Sequence, residues 1–176
     1  SIKDIHSRGY YQPYNAQTNT NGYKSGQGSQ REKELLNNVL SIANNKHKIT
    51  ENFDSDGDGK IDNVTFIVQG GPDSWSSLLW PHRSWYTGTS KLWGKYVYDY
   101  NLIMSDLVKS NDYGLGTLCH EFFHSLGVWD LYHYSYDGFY PTGRWDLMEL
   151  TANPPQFMCN LLKFQFTYGK SLLANT

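Results

Sequence analysis

Two cysteines in the whole chain, Cys119 and Cys159, are too few for a disulfide framework. Core packing of two small side chains accounts for them, and a single bridge from a central helix to the C-terminal segment is the other arrangement open to them. Charge is also scarce. Only 18% of residues are charged, and 15 basic against 17 acidic residues leave a net charge of −2, which argues against a nucleic-acid or anionic-membrane partner. No apolar run approaches the length of a membrane span. The chain has no leader-like start, although Ser1 need not be the native beginning.

Aromatic residues are abundant at 16%, with Tyr the most frequent. Tyr, Trp, Asn, Ser and Gly on a lightly charged surface fit a secreted, extracellular protein with a peptide- or sugar-facing cleft. The 176 residues suit one domain with a substantial core, and a monomer is expected.

Residues 1 to about 30 have no clear period and read as loop or irregular strand. In 31–46, Leu35, Leu36, Val39, Leu40 and Ile42 fall on one side at helical spacing, which predicts an amphipathic helix. Val64 to Val68 is a short β-rich apolar run and reads as a buried strand. Residues 70–95 carry four Trp among Gly, Pro and Ser and read as a long aromatic loop. A second strand is expected at about 96–104. Asp112 can cap a helix from about Tyr113 to Leu126 that Gly127 ends. A closing helix is expected in the last twenty residues.

The sequence His120-Glu121-Phe122-Phe123-His124 lies inside the second predicted helix. Residues four apart share a helix face, so both imidazoles can reach one cation, with Glu121 beside them as general base. Zinc lowers the pKa of a coordinated water from about 15.7 to about 7. Glu121 would take that water's proton and pass it to the leaving amine. With 6 His and 5 Glu in the chain, such a spacing is expected by chance about 0.006 times. Two solvated or core histidines are therefore a poor competing account. A continuing helix would carry the next residues away, whereas Gly127 accepts the left-handed conformation that reverses the chain. Asp130 can then return as the third ligand. Three protein ligands plus water is the catalytic zinc arrangement. His133 and Glu149 are rival third ligands.

Asp54, Asp56, Asp58 and Asp62 occupy positions 1, 3, 5 and 9 of an EF-hand-like loop, with Gly59 at position 6. Position 12 is Thr65, so the bidentate Glu is absent and a complete EF-hand is not expected. A structural calcium site with the Lys60 carbonyl as a further ligand is one reading, and a solvated acidic turn is the other. Clustered carboxylates repel one another without a cation.

The order DSDGDGKIDNVTFIVQG, LWPHRSW, CHEFFHSLGVWDLY and RWDLM, spread over roughly residues 50–150, resembles the immune inhibitor A-like (M6) metallopeptidases of the metzincin clan, whose signature combines HExxHxxGxx with a later Met turn. The resemblance implies a zinc endopeptidase acting on internal peptide bonds of protein substrates. It implies His120, His124 and Asp130 as zinc ligands, Glu121 as catalytic acid/base, and Met148 as the Met-turn floor. The fold expected is α+β, a metzincin-like catalytic domain. A twisted mixed sheet, a backing helix and an active-site helix would stand over a smaller irregular lower subdomain. One catalytic domain would span 1–176, starting inside the family's usual N-terminal boundary. Phe123 stands where the family often has Gly. The position two after Met148 is Leu150, not the Tyr some metzincins use, so Tyr132, Tyr134, Tyr136 and Tyr140 are candidates for a stabilising phenol. His82 reads either as a cleft-side residue or as a structural hydrogen-bond partner. The alternative function is a non-catalytic binding domain stabilised by zinc and calcium, against which the retained Glu121 argues.

Overall fold

The computed structural model describes residues 1–135 and 137–164. It is a small mixed α+β fold that divides into two compact units, Ser1–Met104 and a second beginning at Ser105.

The first unit is built on helix α1 (Gly28–Lys46) and a three-stranded sheet. Leu35, Leu36 and Leu40 bury the apolar side of α1, as their spacing predicts. The helix starts three residues earlier than the apolar period suggests, because Gly28, Ser29 and Gln30 form a polar first turn that no hydrophobic pattern can mark. In the sheet, β1 (Val64–Val68) runs parallel to β5 (Asp99–Met104), and β2 (His82–Trp85) runs antiparallel to it. The central strand β5 is buried along its whole length, which is why it is apolar on both faces at Leu102, Ile103 and Met104. Its buried Asp99 is held by Arg83 and by Asn63 Nδ2 at 2.9 Å.

Two expectations change here. The Trp-rich stretch 70–95 is not one loop. It contains β2 and a hairpin of β3 (Lys91–Leu92) with β4 (Lys95–Tyr96). The hairpin turn places Trp93 at φ 51° and Gly94 at φ 86°, the two positive values that a right-twisted two-residue turn needs. Trp93 tolerates this because its backbone N–H donates to Asn44 Oδ1 (2.9 Å) and its indole N–H to His47 O (2.7 Å). A bulky aromatic in that position hides the turn from sequence reading. The second strand correspondingly splits, Lys95–Tyr96 belonging to the hairpin and Asp99–Met104 to the sheet.

His82 serves as a structural partner. Nδ1 faces Trp80 O at 2.6 Å and Nε2 faces Glu32 Oε1 at 2.7 Å, with the Tyr100 hydroxyl donating to the same oxygen at 2.6 Å. The group joins α1 to β2 and β5. Residues 1–27 are largely irregular, as expected, with one 3-10 turn at Arg8–Tyr11. The Arg8 guanidinium holds that turn to the end of β1 by donating to Gln69 O (2.6 Å) and to Gly71 O.

The second unit holds the short helix α2 (Ser105–Val108), then α3 (Gly114–Ser125) and α4 (Asn160–Phe164). Asp112 does not cap α3. Tyr113 is the cap residue, with no side-chain cap hydrogen bond, and the backbone N–H groups of both Asp112 and Tyr113 donate to Ser110 Oγ. Its small core is Val128, Met148, Met158 and Leu162, with Phe123, Leu131 and Cys159 packed on it. The last twelve residues, which include the end of the expected closing helix, lie outside the described residues. No helix among the described residues is long and apolar enough to cross a membrane.

Candidate functional site

The α-helical repeat places His120 and His124 one turn apart on α3, with Nε2 atoms 3.1 Å from each other. His120 and the adjacent Glu121 are buried, at 7% and 6% exposed. Gly127 ends the helix at φ 92°, and its N–H donates to His124 O (2.9 Å) while the Val128 N–H donates to Phe123 O (3.0 Å). That reversal turns the chain back, so Asp130 Oδ1 arrives 3.0 Å from His120 Nε2 and 3.2 Å from His124 Nε2. The expected set of His120, His124 and Asp130 is thus gathered into one group.

The hydrogen positions decide what this group can do. His120 Nδ1 lies 2.9 Å from Leu147 O, and His124 Nδ1 lies 2.8 Å from Val128 O. A carbonyl only accepts, so each imidazole carries its hydrogen at Nδ1 and turns the Nε2 lone pair inward. Two lone pairs and a carboxylate oxygen then face one point. Asp130 Oδ1 is buried and accepts no hydrogen bond from donors with a settled proton. Such an arrangement is repulsive unless a positive charge occupies the centre. A proton on one Nε2 is the minimal solution. Burial works against both charges. Even so, the contacts with His120 and His124, one of them carrying that proton, and the hydrogen bond from Tyr134 hold the Asp130 carboxyl well below the usual carboxylate range, and Asp130 lifts His124 above its ordinary value. A divalent ion is the fuller solution. Three donors at zinc bonding distance in a tetrahedron are about 3.3 Å apart, close to the separations found here. Two imidazoles and one carboxylate are also the donor types zinc takes.

No family model matches this chain, and no curated protein matches it.

A turn formed by residues 146–149 braces the group, and most of it escapes sequence reading. Asp146 is fully buried, accepting the Met148 N–H at Oδ1 (2.7 Å) and the Cys159 N–H at Oδ2 (2.5 Å). Leu147 supplies the carbonyl that orients His120, and Met148 O accepts the Leu131 N–H at 2.9 Å, next to Asp130. Met148 is completely buried among Val128, Met158 and Leu162. Phe123 packs on that same core, which uses the bulk it brings to the helix. RWDLM attracts attention for its Met, but nothing in it advertises that the Asp organises the turn.

Tyr134 donates its hydroxyl to Asp130 Oδ2, the carboxylate oxygen not shared with the imidazoles. Burial and that carboxylate push its phenol up to about 12. Tyr132 stacks near His120, with centroids 6.3 Å apart, and burial and Asp130 raise its phenol far above the ordinary range. The charge of Glu121 is felt at His124, Tyr132 and Tyr134. Tyr140 is exposed, and Tyr136 lies outside the described residues. His133 pairs with Asp137 at 2.9 Å, and Glu149 accepts from the Thr142 N–H and hydroxyl at 3.1 and 3.2 Å. Neither rival third ligand joins the three-atom group. Cys119 and Cys159 are free thiols, so no bridge joins them.

Partners that orient ligands typically govern metal affinity by 10–100-fold. Tyr134→Phe is therefore expected to weaken zinc binding about tenfold, measured by competition with a chelating dye. An unchanged affinity would mean that the phenol merely decorates Asp130.

In the acidic loop the structure brings together Asp54, Asp56 and Asp58 but not Asp62. Asp62 turns to Ser55 instead, accepting its N–H (3.2 Å) and its hydroxyl. The cause is local pairing: the Asp62 N–H donates to Phe53 O at 2.8 Å, which sets that side chain beside Ser55. The Lys60 ammonium returns to Asp58.

Proposed function

We propose that this chain is a zinc-dependent endopeptidase, with His120, His124 and Asp130 holding the ion and Glu121 as its acid/base. The observation that carries this reading is the inward-facing set of two Nε2 lone pairs and Asp130 Oδ1, each imidazole committed at Nδ1 to a backbone carbonyl, with a buried carboxylate one residue away on the helix.

A bound zinc would acidify water and polarise the scissile carbonyl. The remaining work belongs to the chain. His120 and His124 are oriented in advance by Leu147 O and Val128 O, so little reorganisation accompanies loading. Glu121 accepts a proton from the attacking water and delivers it to the departing amine, which separates the peptide bond into acid and amine products. Its buried surroundings keep bulk water from competing for that proton. Tyr132 retains its hydrogen and is available as a donor to developing negative charge. The substrate class is extended protein or peptide. This is the chemistry of the immune inhibitor A-like family that the motifs resemble. The extracellular setting proposed with it follows from composition.

The test is hydrolysis of a denatured generic protein by the zinc-loaded chain. Cleavage should vanish on removing zinc with a strong chelator and return on adding about one equivalent of zinc. Zinc bound without cleavage would favour the binding-domain alternative instead.

A further inference from the structure

The second unit holds a cavity of about 390 Å³ beside the braced turn, within the size range of ligand sites. Arg144 and Leu150, which flank that turn, line it together with Asp112 and Tyr113 from the approach to α3 and with Asn153 and Gln156. Its walls are held by the chain itself. Gln156 Nε2 donates to Leu150 O at 2.6 Å, and the N–H groups of Asp112 and Tyr113 share Ser110 Oγ at 3.1 and 3.3 Å. Residues 150–153 lie directly on the start of α3: a Cβ on Gly116 would stand 2.1 Å from Ala152 O, so only glycine admits this approach. Arg144 and Asp112 are exposed, and neither takes part in an ion pair among the described residues. One cation and one anion therefore line a single cavity without pairing with each other.

We propose that this cavity takes a carboxamide side chain of the substrate, glutamine or asparagine, whose C=O accepts from the Arg144 guanidinium and whose NH₂ donates to the Asp112 carboxylate. The assignment rests on the peptidase reading above. A carboxylate would be drawn to Arg144 but repelled by Asp112, and an ammonium the reverse. An aliphatic side chain would take water from both charged groups and return no hydrogen bond. The carboxamide separates an acceptor from two donors on one planar, uncharged group, so it can satisfy two partners that stand apart. Both of its hydrogen bonds would be charge-assisted, the stronger kind. Tyr113 and Leu150 offer apolar surface to its methylene groups.

The cavity and the metal group share their supports. Leu147 O orients His120 Nδ1 from the turn that Arg144 and Leu150 flank. Tyr113 precedes His120 by seven residues, which is about 10 Å along a helix at about 1.5 Å per residue. An extended peptide advances about 3.3 Å per residue, so a scissile bond at the metal group leaves the cavity within reach of a side chain about one to three residues away.

The experiment is cleavage of fluorogenic peptides by the full zinc-loaded chain. The peptides differ only by Gln, Glu, Lys or norleucine at each position up to about three residues from the bond cut. Gln should be preferred at one position by about tenfold or more in kcat/KM, the open rim keeping the ratio below the roughly 10⁴-fold that buried hydrogen-bonding sites reach. Arg144→Ala leaves Asp112 alone in the cavity and should move that position's preference to Lys. Asp112→Asn should move it to Glu. The zinc content of both variants checks that α3 is intact. As a readout independent of cleavage, N-acetyl-glutamine methylamide should shift the backbone amide resonances of Thr151 and Asn153, and N-acetyl-norleucine methylamide should not. Equal kcat/KM across the side chains, or variants that keep the wild-type order, would overturn the subsite and leave the peptidase reading in place. Selective glutamine shifts without any cleavage would uphold the cavity's ligand class while the peptidase reading fails. Neither cleavage nor shifts would overturn both.

Discussion

Changing Glu121 to Gln should leave one zinc bound per chain and lower kcat/KM on a peptide substrate by about 10²–10⁴-fold, the usual worth of a positioned acid/base. Gln has the same shape, so the α3 packing around this 6%-exposed side chain is preserved, and it adds no buried charge. What it lacks is a site that can hold a proton between water and leaving amine. Comparing zinc content with turnover on one preparation separates chemistry from loading. Retention of activity within a factor of a few would place the proton transfer on a group other than Glu121. Loss of zinc together with activity would instead make Glu121 a structural partner of the ligands.

The second large effect is expected at Asp146, a residue that touches no ligand atom. Asp146→Ala would strand two N–H groups, that of Met148, which is buried, and that of Cys159, which is partly buried. At about 1–3 kcal/mol for each unsatisfied group, the loss is about 2–6 kcal/mol of stability. The turn also presents Leu147 O to His120 Nδ1 and Met148 O to the Leu131 N–H. Loosening it should therefore cost zinc affinity as well, by about 10–100-fold. Denaturant unfolding with metal absent measures the first effect, and zinc competition well below the unfolding transition measures the second. Asp146→Asn, which keeps one acceptor, should recover part of both. A variant that is less stable but binds zinc as tightly as wild type would confine Asp146 to stability.

How much of this could be read in the chain depends on whether the information is local. Helix α1 and strand β1 rest on patterns within a single segment and both occur, but β1 is not the fully buried strand its apolar run suggests: only Phe66 is buried and Ile67 is exposed, because burial depends on what packs against each face. His120, Glu121 and His124 share a helix, and Gly127 supplies a local device that brings Asp130 back, so the residues of the group on α3 were legible in the sequence. The departures arise where a distant partner decides. β2 exists because His82–Trp85 pairs with β5, not because of any strand-like pattern within 70–95. Trp93 adopts a turn conformation because Asn44 and His47 on and beyond α1 accept its two N–H groups. Asp62 fits the spacing of a calcium loop but is drawn to Ser55 by a backbone hydrogen bond to Phe53.

The sequence by itself determined which side chains could meet on one helix face and which residue could turn the chain. Helical geometry and the left-handed freedom of glycine act over a few residues. Only the tertiary structure decided that the Nε2 lone pairs point inward. That depends on the carbonyls of Leu147 and Val128, and the former is placed by a turn that Asp146 closes some 26 residues away in sequence. A backbone carbonyl carries no residue signature, so the acceptor that sets each imidazole's tautomer becomes visible only once the chain is folded.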